Sequence, residues 1–260
     1  MNEQNKVKGL LSSSTLKNIA LVFMIIDNVF LKFPSIGPVW HLITRFVAPL
    51  FAYLMVDGFF HTRSRKKYCI RLWIAAILMQ IGNILSYFLL QKKGIPDNIF
   101  LTLALGFSVI YLFELSKSAT LINRILYILS GIILIIGATY ISWNRIPLLF
   151  GCYILLEGGL TVFPFIITSY LFHYSRALQI ICSFIISLYF FVTFGVAETI
   201  QMLGFYGLCM SSDWMIWQVS PFILLYNGQK GNSRLFGKYF FYIFYPLHLW
   251  IIAIAAYFIG

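Results

Sequence analysis

Residues 16–33 have the sequence LKNIALVFMIIDNVFLKF, and only three of them are charged. The next run, residues 38–60, has the sequence PVWHLITRFVAPLFAYLMVDGFF and is also dominated by apolar side chains. A helix needs about 20 predominantly apolar residues to cross the hydrocarbon core of a bilayer. Both runs approach or exceed this length, so we predict that each forms a transmembrane helix.

The composition of the whole chain argues against an ordinary soluble fold. The 260 residues are 60% hydrophobic and only 10% charged, whereas soluble proteins average about 25% charged and about 45–50% apolar residues. A surface this apolar would aggregate in water, and a bilayer removes that problem. No polar stretch is long enough to form a soluble domain. We therefore predict a polar N-terminal tail over 1–15 and a single transmembrane domain over 16–260.

The predicted fold class is all-α, a polytopic transmembrane helical bundle with about nine spans and a range of about eight to ten. Two of the runs are interrupted. The sixth contains Gly158 and Pro164, and the eighth contains Asp213, which favours a re-entrant piece followed by a helix. The predicted spans are 16–33, 38–60, 68–91, 98–116, 121–141, 146–171, 177–196, 200–226 and 238–259.

The basic residues predict how the chain is oriented. The formal net charge is +11, but Lys and Arg sort unevenly between the two sides of a nine-span topology, which argues for membrane orientation rather than nucleic-acid binding. The positive-inside rule makes the richer side cytoplasmic, with the N-terminus inside and the C-terminus outside, and it also suits contact with anionic lipids. The richer side carries Lys6, Lys8, Lys17, Arg63, Arg65, Lys66, Lys67, Arg71, Lys117, Arg124, Arg176, Lys230, Arg234 and Lys238. The poorer side carries Lys32, Lys92, Lys93 and Arg145.

Neither the cysteines nor common catalytic motifs indicate a metal or nucleotide site. The four cysteines are scattered and lack CxxC spacing, so we predict no disulfide framework and no metal. The chain also lacks a Walker A loop, a Rossmann fingerprint, an HExxH motif and a GxSxG motif. An ATP-driven pump, a zinc protease and a serine hydrolase of those types are therefore unsupported.

Ionisable side chains inside the predicted spans are the candidate functional residues, because an intramembrane charge costs at least a few kcal/mol. Asp27 and Arg45 fall in the same half of the bilayer, with His41 one turn before Arg45. They are placed to pair, either as part of a polar cavity or as a purely structural ion pair. Glu157 lies beside a glycine pair, and His248 follows a proline that should kink the last span; a cavity site and a structurally satisfied polar group both fit them.

Asp57 and His61 are spaced i and i+4 at the predicted cytoplasmic end of the second span, so they lie on one helix face. A carboxylate beside an imidazole orients the ring and raises its basicity, which suits a general base. The alternative is an interfacial histidine in a basic loop.

Several stretches resemble the TraX family. They are residues 16–27 (LKNIALVFMIID), 45–63 (RFVAPLFAYLMVDGFFHTR), 98–103 (NIFLTL), 224–228 (LLYNG) and 240–249 (FFYIFYPLHL). The family is named for a conjugation protein that acetylates the N-terminus of pilin. The resemblance implies a multi-pass acetyltransferase of the bacterial cytoplasmic membrane that takes acetyl-CoA as its donor. This sequence departs from the family pattern at Asn28, where a histidine is usual, and at Asp57, where a glutamate is usual. The first departure favours His61 or His248 as the base.

The resulting hypothesis places the reaction near the cytoplasmic face. His61, oriented by Asp57, would deprotonate the acceptor, and His248 is the alternative base. The acetyl-CoA site would use Arg63, Arg65, Lys66 and Lys67 for the phosphates and Asn98 or Thr102 for the oxyanion. The acceptor cavity would be lined by Asp27, Arg45, Glu157 and Tyr245.

The acceptor is open at this point. Family precedent favours the N-terminal amine of a membrane-associated peptide, and a lipid-linked or cell-surface glycan is the alternative. A transporter, an assembly subunit or a non-catalytic peptide-binding subunit would also use a polar interior. The sequence does not determine the oligomeric state.

Overall fold

A computed structural model describes residues 9–33, 35, 37–90, 97–144, 153–231 and 240–259. These ranges contain eleven α-helices and an isolated β-bridge but no strand. The helices are α1 Ser13–Lys32, α2 Val39–Ile43, α3 Val47–His61, α4 Arg65–Leu89, α5 Ile99–Ser116, α6 Leu121–Asn144, α7 Gly159–Leu171, α8 Arg176–Thr193, α9 Val196–Met210, α10 Ser220–Leu225 and α11 Phe240–Ile259.

The prediction of an all-α polytopic bundle is confirmed. In the described ranges, seven helices are long and apolar enough to cross a membrane, with α2 and α3 counted as one helix over Val39–His61. Two shorter apolar helices, Gly159–Leu171 and Ile216–Leu225, fall in the two runs that the sequence marks as interrupted. The protein is therefore a multi-pass membrane protein.

The sixth predicted span, 146–171, is helical over a shorter length than predicted. Its helix α7 begins only at Gly159, because the preceding residue, Gly158, adopts a left-handed conformation with φ +60°. Residues 146–152, including Cys152, lie outside the described residues. Gly158 has no Cβ to disfavour that conformation, so the backbone turns into the helix at this point.

The eighth predicted span, 200–226, is broken as predicted. Helix α9 ends at Met210, and two 3₁₀ turns, Ser212–Trp214 and Ile216–Val219, lead into α10. A second break lies within α9, where Gly204 has φ +58° and ψ −138°. No single long helix forms here.

The bundle has two ends, which differ in their charged residues. At the first, here called the basic end, α3 ends near the start of α4, and Arg65 reaches Glu114 at the end of α5. At the opposite end, here called the acidic end, Arg45 bridges Asp27 and Asp213. Every described Lys and Arg except Lys32 and Arg45 lies in a loop or in the first or last two turns of a helix at the basic end. The predicted topology residues Lys6, Lys8, Lys92, Lys93, Arg145, Arg234 and Lys238 lie outside the described ranges.

The chain before α1 is tied to the chain after α10. Leu11 donates its amide to the Leu225 carbonyl at 2.9 Å and accepts from the Asn227 amide at 2.9 Å. Ser13 donates to the Gln229 carbonyl at 2.8 Å. Part of the predicted polar tail is therefore built into the basic end, with α1 beginning at Ser13; residues 1–8 lie outside the description.

Close packing between α4 and α11 predicts a stability effect. A Cβ added to Gly82 would lie 1.9 Å from the indole of Trp250, whereas nothing lies within 4 Å of the equivalent point on Gly137 in α6. We expect Gly82→Ala to cost about 1–3 kcal/mol by overpacking and to lower the Tm in detergent. The control Gly137→Ala should leave the Tm unchanged or raise it, because alanine favours a helix. Equal Tm values for the two variants would contradict this packing.

Candidate functional site

A polar cavity of about 360 Å³ lies at the acidic end. Its volume falls within the range of about 300–1,000 Å³ that is usual for ligand pockets. The walls come from the outer part of α1, the start of α3 and the loop before α7. The ionisable residues that line it are Asp27, His41, Arg45, Asp97, Glu157 and Asp213. We call this space the acidic cavity.

Arg45 and Asp27 form the ionic centre of the acidic cavity. The Arg45 Nη2 atom lies 2.5 Å from Asp27 Oδ2, so the predicted pairing is confirmed. The other carboxylate oxygen of Asp27 accepts from the Thr44 hydroxyl at 2.7 Å and lies 2.9 Å from His41 Nδ1. Arg45 Nη1 donates to Asp213 Oδ1 at 2.8 Å. The 3₁₀ turn Thr44–Phe46 between α2 and α3 presents Thr44 and Arg45 to α1.

The acidic cavity carries more negative than positive groups. Among its described lining residues, four are Asp or Glu and Arg45 is the one Lys or Arg. Asp97 lies in the loop before α5, where burial, against the opposing charge of Lys32, raises the pKa of its carboxyl. Within the described part of the chain, no Lys or Arg nitrogen forms an ion pair with Asp97 or Glu157. Because a cation beside these two carboxyls would favour their ionised forms, the cavity is suited to a cationic group.

Glu157 is held at the wall of this cavity by two helices, α5 and α11. The Tyr245 hydroxyl of α11 donates a short hydrogen bond to the Glu157 carboxylate. The same hydroxyl accepts from the Ile99 amide at 3.3 Å. Thr102 donates to the Glu157 backbone carbonyl at 3.0 Å. The predicted residues Glu157, Tyr245 and Thr102 thus meet, and they join α5 and α11 to the turn before α7.

His248 lies beside this group and is buried. Its Nδ1 atom is 3.1 Å from the Phe244 carbonyl, and its Nε2 atom is 3.4 Å from Asn28 Nδ2. Asn28 also donates to the Met24 carbonyl at 2.8 Å. If Nδ1 carries the hydrogen and donates to Phe244, Nε2 keeps a lone pair that accepts from Asn28. Asn28, at the position where the resemblance leads us to expect a histidine, therefore contacts His248 directly.

A second cavity, of about 210 Å³, begins nearer the basic end. It is lined mainly by apolar and aromatic side chains, including Phe100, with Lys17 and Arg71 as its cations. The Arg71 Nε atom is buried and has no hydrogen-bond partner within the described residues. We call this space the donor cavity. It shares Met24 with the acidic cavity, and it is also lined by Tyr245.

Asp57 and His61 lie at the basic end, outside both cavities. His61 Nδ1 is 2.8 Å from the Asp57 carbonyl and 3.6 Å from its carboxylate, so the predicted shared face exists. Asp57 also accepts from the Tyr226 hydroxyl at 2.8 Å. The His61 side chain is 64% exposed, so its Nε2 atom is accessible at the surface of the basic end.

The four predicted phosphate-binding residues divide into two kinds. Arg63, Lys66 and Lys67 are exposed at the start of α4. Arg65 lies over the Phe59 ring at 4.5 Å and reaches Glu114 at 3.4 Å. Three of the four are therefore free to attract an anion, while Arg65 has protein partners.

The hypothesis that Asn98 or Thr102 stabilises an oxyanion beside His61 is wrong on geometry. Both residues lie at the acidic end of α5, and the fourteen residues from Thr102 to Ser116 span about 21 Å of helix. Their donors are also engaged, because Asn98 donates to the Ala76 carbonyl at 3.0 Å and Thr102 to Glu157. The predicted topology already implies this separation, because it places residue 98 at the outer end of the fourth span and residue 116 at its cytoplasmic end.

Other residues of the site carry weaker sequence signals. Asp97 and Asp213 lie in breaks between helices, where an acidic residue is common and uninformative. Met24 and Arg71 are ordinary members of an apolar run and a basic segment. Tyr226 falls in the LLYNG stretch that contributes to the family resemblance. Within the described ranges, no group of three or more His, Cys, Asp or Glu residues is arranged to hold a metal ion.

Comparisons with known proteins cover almost all of the chain. The family model described as TraX protein matches residues 12–256. The chain is also similar to a protein of Dichelobacter nodosus named probable fimbrial assembly protein FimC, serogroup H1. The two are 27% identical over 280 residues, which cover 95% of this chain and 97% of that protein. No solved structure matches the chain.

The ionic centre predicts a strong asymmetry between its two carboxylates. Asp27→Asn would leave the largely buried Arg45 guanidinium without its main counter-charge, at a cost of about 3–5 kcal/mol. Asp213→Asn removes a partner whose side chain is 61% exposed, so it should cost no more than about 1 kcal/mol. Thermal unfolding of the two variants in the same detergent measures the difference. A smaller loss for Asp27→Asn than for Asp213→Asn would contradict this assignment.

Proposed function

The chain belongs to the TraX family, and on that premise we propose that it is a membrane-bound acetyltransferase of the bacterial cytoplasmic membrane. In this proposal the donor is acetyl-CoA and the acceptor is the N-terminal amine of a membrane-associated peptide. The relative named as a probable fimbrial assembly protein supports an acceptor that is a subunit of a surface fibre.

The observation that carries this proposal is the donor cavity. It combines cations near one end with an aromatic and apolar interior, and Tyr245 lies among its lining residues. Coenzyme A has the matching chemistry, because its anionic phosphates are joined to a slender arm that ends in the thioester. Lys17 and Arg71 would meet the phosphate end of the arm. The exposed Arg63, Lys66 and Lys67 would increase the local concentration of the anion.

This assignment makes the basic end cytoplasmic, where acetyl-CoA is available. The excess of Lys and Arg at that end supports the same orientation by the positive-inside rule. The N-terminus is then cytoplasmic and the C-terminus lies outside.

The chemistry needs one base and a route for one proton. The amine lone pair attacks the thioester carbonyl carbon, the C–S bond breaks, and the sulfur leaves with the bonding electrons as a thiolate. The base takes the proton that the amine loses and returns it to the thiolate, so the products are an N-acetyl peptide and CoA thiol. Two groups next to Tyr245 would take it: the Glu157 carboxylate, which binds the Tyr245 hydroxyl from the acidic cavity, and His248, whose ring centre lies 5.5 Å from that of Tyr245.

The Asp57–His61 pair is the alternative location of the base. His61 offers an exposed Nε2 atom, which would act on a thioester held at the surface of the basic end. Glu157 and His248 are favoured because both adjoin Tyr245, whose ring lines the donor cavity and whose hydroxyl binds Glu157 in the wall of the acidic cavity.

A transfer assay in detergent tests the function and the location of the base together. We expect labelled acetyl-CoA and a synthetic peptide with a free N-terminal amine to give acetylated peptide and an equal amount of CoA thiol. The variant that removes the base, either Glu157→Gln or His248→Ala, should have a kcat about 10²–10⁴-fold lower than the wild-type protein. The matched control is Glu198→Gln, which changes an exposed carboxylate at the start of α9.

The outcomes separate the candidates. Loss of activity in His61→Ala, with full activity in both Glu157→Gln and His248→Ala, would move the reaction to the basic end. Absence of CoA thiol release from the wild-type protein with the peptide would favour a non-enzymatic assembly subunit. Transfer to a glycan acceptor but not to the peptide would favour the surface-sugar alternative.

The exposed basic residues predict a separate effect on donor binding. Replacing Arg63, Lys66 and Lys67 together with Gln should raise KM for acetyl-CoA by about tenfold or more while leaving kcat nearly unchanged, because these residues attract the phosphates and do not touch the reacting atoms. The effect should diminish at high salt. Lys32→Gln, at the acidic end, is the control and should leave KM unaltered. An unchanged KM in the triple variant would remove the phosphate-docking role.

A further inference from the structure

The two cavities approach each other from opposite ends of the bundle and share Met24, and Tyr245 of the donor cavity binds Glu157 of the acidic cavity. We propose that the acceptor amine enters through the acidic cavity, so that the acetyl group crosses the membrane inside the protein while CoA and the acceptor remain on opposite sides. This inference rests on the proposed acetyl transfer.

Helix α1 shows how the cavities are arranged along the membrane normal. Lys17 lines the donor cavity, Leu31 lines the acidic cavity, and Met24 lines both. Successive members of this series are seven residues apart, which is two helical turns, so all three lie close to one face of α1. Lys17 and Leu31 are about 21 Å apart along the helix axis, with Met24 midway. The two cavities therefore occupy successive parts of a hydrocarbon core of about 30 Å.

The junction is narrow and is bridged by reactive groups. Met24 and Tyr245 each expose only 4% of their surface, so the junction is closely packed. The Tyr245 ring lines the donor cavity, and its hydroxyl binds Glu157, which lines the acidic cavity. A thioester carbonyl next to Tyr245 and an amine next to Glu157 would thus meet at the junction, where the nitrogen must come within about 3–3.5 Å of the carbonyl carbon for attack. Only the acetyl group passes from one cavity to the other, while CoA and the peptide stay in the cavities they entered.

The charge of the acidic cavity favours an amine on that side. Arg45 compensates Asp27 and Asp213, whereas Asp97 and Glu157 have no Lys or Arg ion-pair partner among the described residues. A peptide ammonium would be attracted to these two carboxyls. Glu157 would then take the ammonium proton and release it into the acidic cavity, which leaves the neutral amine required for attack. The attack frees a second N–H proton, which the base returns to the thiolate, so each transfer releases one proton in all.

Sealed vesicles test the crossing directly. The purified protein is reconstituted with a charged, membrane-impermeant peptide with a free N-terminal amine on both sides of the bilayer, and labelled acetyl-CoA is added only outside. Only molecules whose basic end faces outward meet the donor, so the orientation of the protein need not be uniform. We expect at least about tenfold more acetylated peptide in the lumen than outside. Product confined to the outside would overturn the crossing.

A detergent arm with the same peptide separates the two claims. Transfer in detergent together with outside-only product in vesicles would overturn the crossing and leave the acetyltransferase proposal standing. Absence of transfer in detergent would overturn the proposed function and, with it, the crossing that rests on it.

Two sets of variants probe the junction and the sidedness without relying on one another. Met24→Trp should fill the junction and reduce lumenal product by at least about tenfold, whereas the control Met202→Trp, at a position 82% exposed on α9, should not. In a variant without the four native cysteines, Leu31→Cys should react with an impermeant maleimide only in right-side-out cell-membrane vesicles, and Lys66→Cys only in inside-out ones. Labelling of both from the same side would overturn the proposal even if Met24→Trp failed to fold.

Discussion

The contact between Arg45 and Asp27 joins the first long helix to the second at the depth where both carry charge. Hydrocarbon offers no water to solvate either group, so each must find its partner within the protein. Thr44 and His41 complete the coordination of Asp27, and Asp213 brings the broken segment after α9 to the same point. The relative positions of α1, the α2–α3 unit and the 3₁₀ turns therefore depend on one guanidinium. The acidic cavity is the space left around it.

Much of the fold follows from apolar run length alone. The predicted first span, 16–33, corresponds to the helix Ser13–Lys32. The predicted fourth span, 98–116, corresponds to the helix Ile99–Ser116. Agreement of this kind is expected because a spanning helix must satisfy its own backbone and match the thickness of the bilayer. The sixth run departs because Gly158 sets a left-handed turn within apolar sequence, and hydropathy does not register backbone conformation.

The sequence predicts less of the candidate site than of the fold. Charges inside spans are costly and therefore conspicuous, which is why Asp27, Arg45, Glu157 and His248 were identified. Their partners were not conspicuous. Tyr245 was identified only as a cavity residue, and the bridge from its hydroxyl to Glu157 depends on how α11 packs against the turn before α7. Asn98 and Thr102 have the right chemistry for a donor but act as supports, because their hydrogen bonds hold α4 and the Glu157 turn. Pairing between helices far apart in sequence is decided by tertiary packing.

The backbone pairing of the segment before α1 with the segment after α10 has a consequence for biosynthesis. Ser14 and Lys230, which are joined in this pairing, are 216 residues apart in the chain. Chains emerge from the ribosome N-terminus first, so the beginning of α1 is among the first parts to be made and among the last to gain its partners. The amides of this segment remain unpaired by the protein until residue 230 has been synthesised. Closure of the bundle at this end is therefore a late step of assembly, because it must follow the synthesis of α1 to α10.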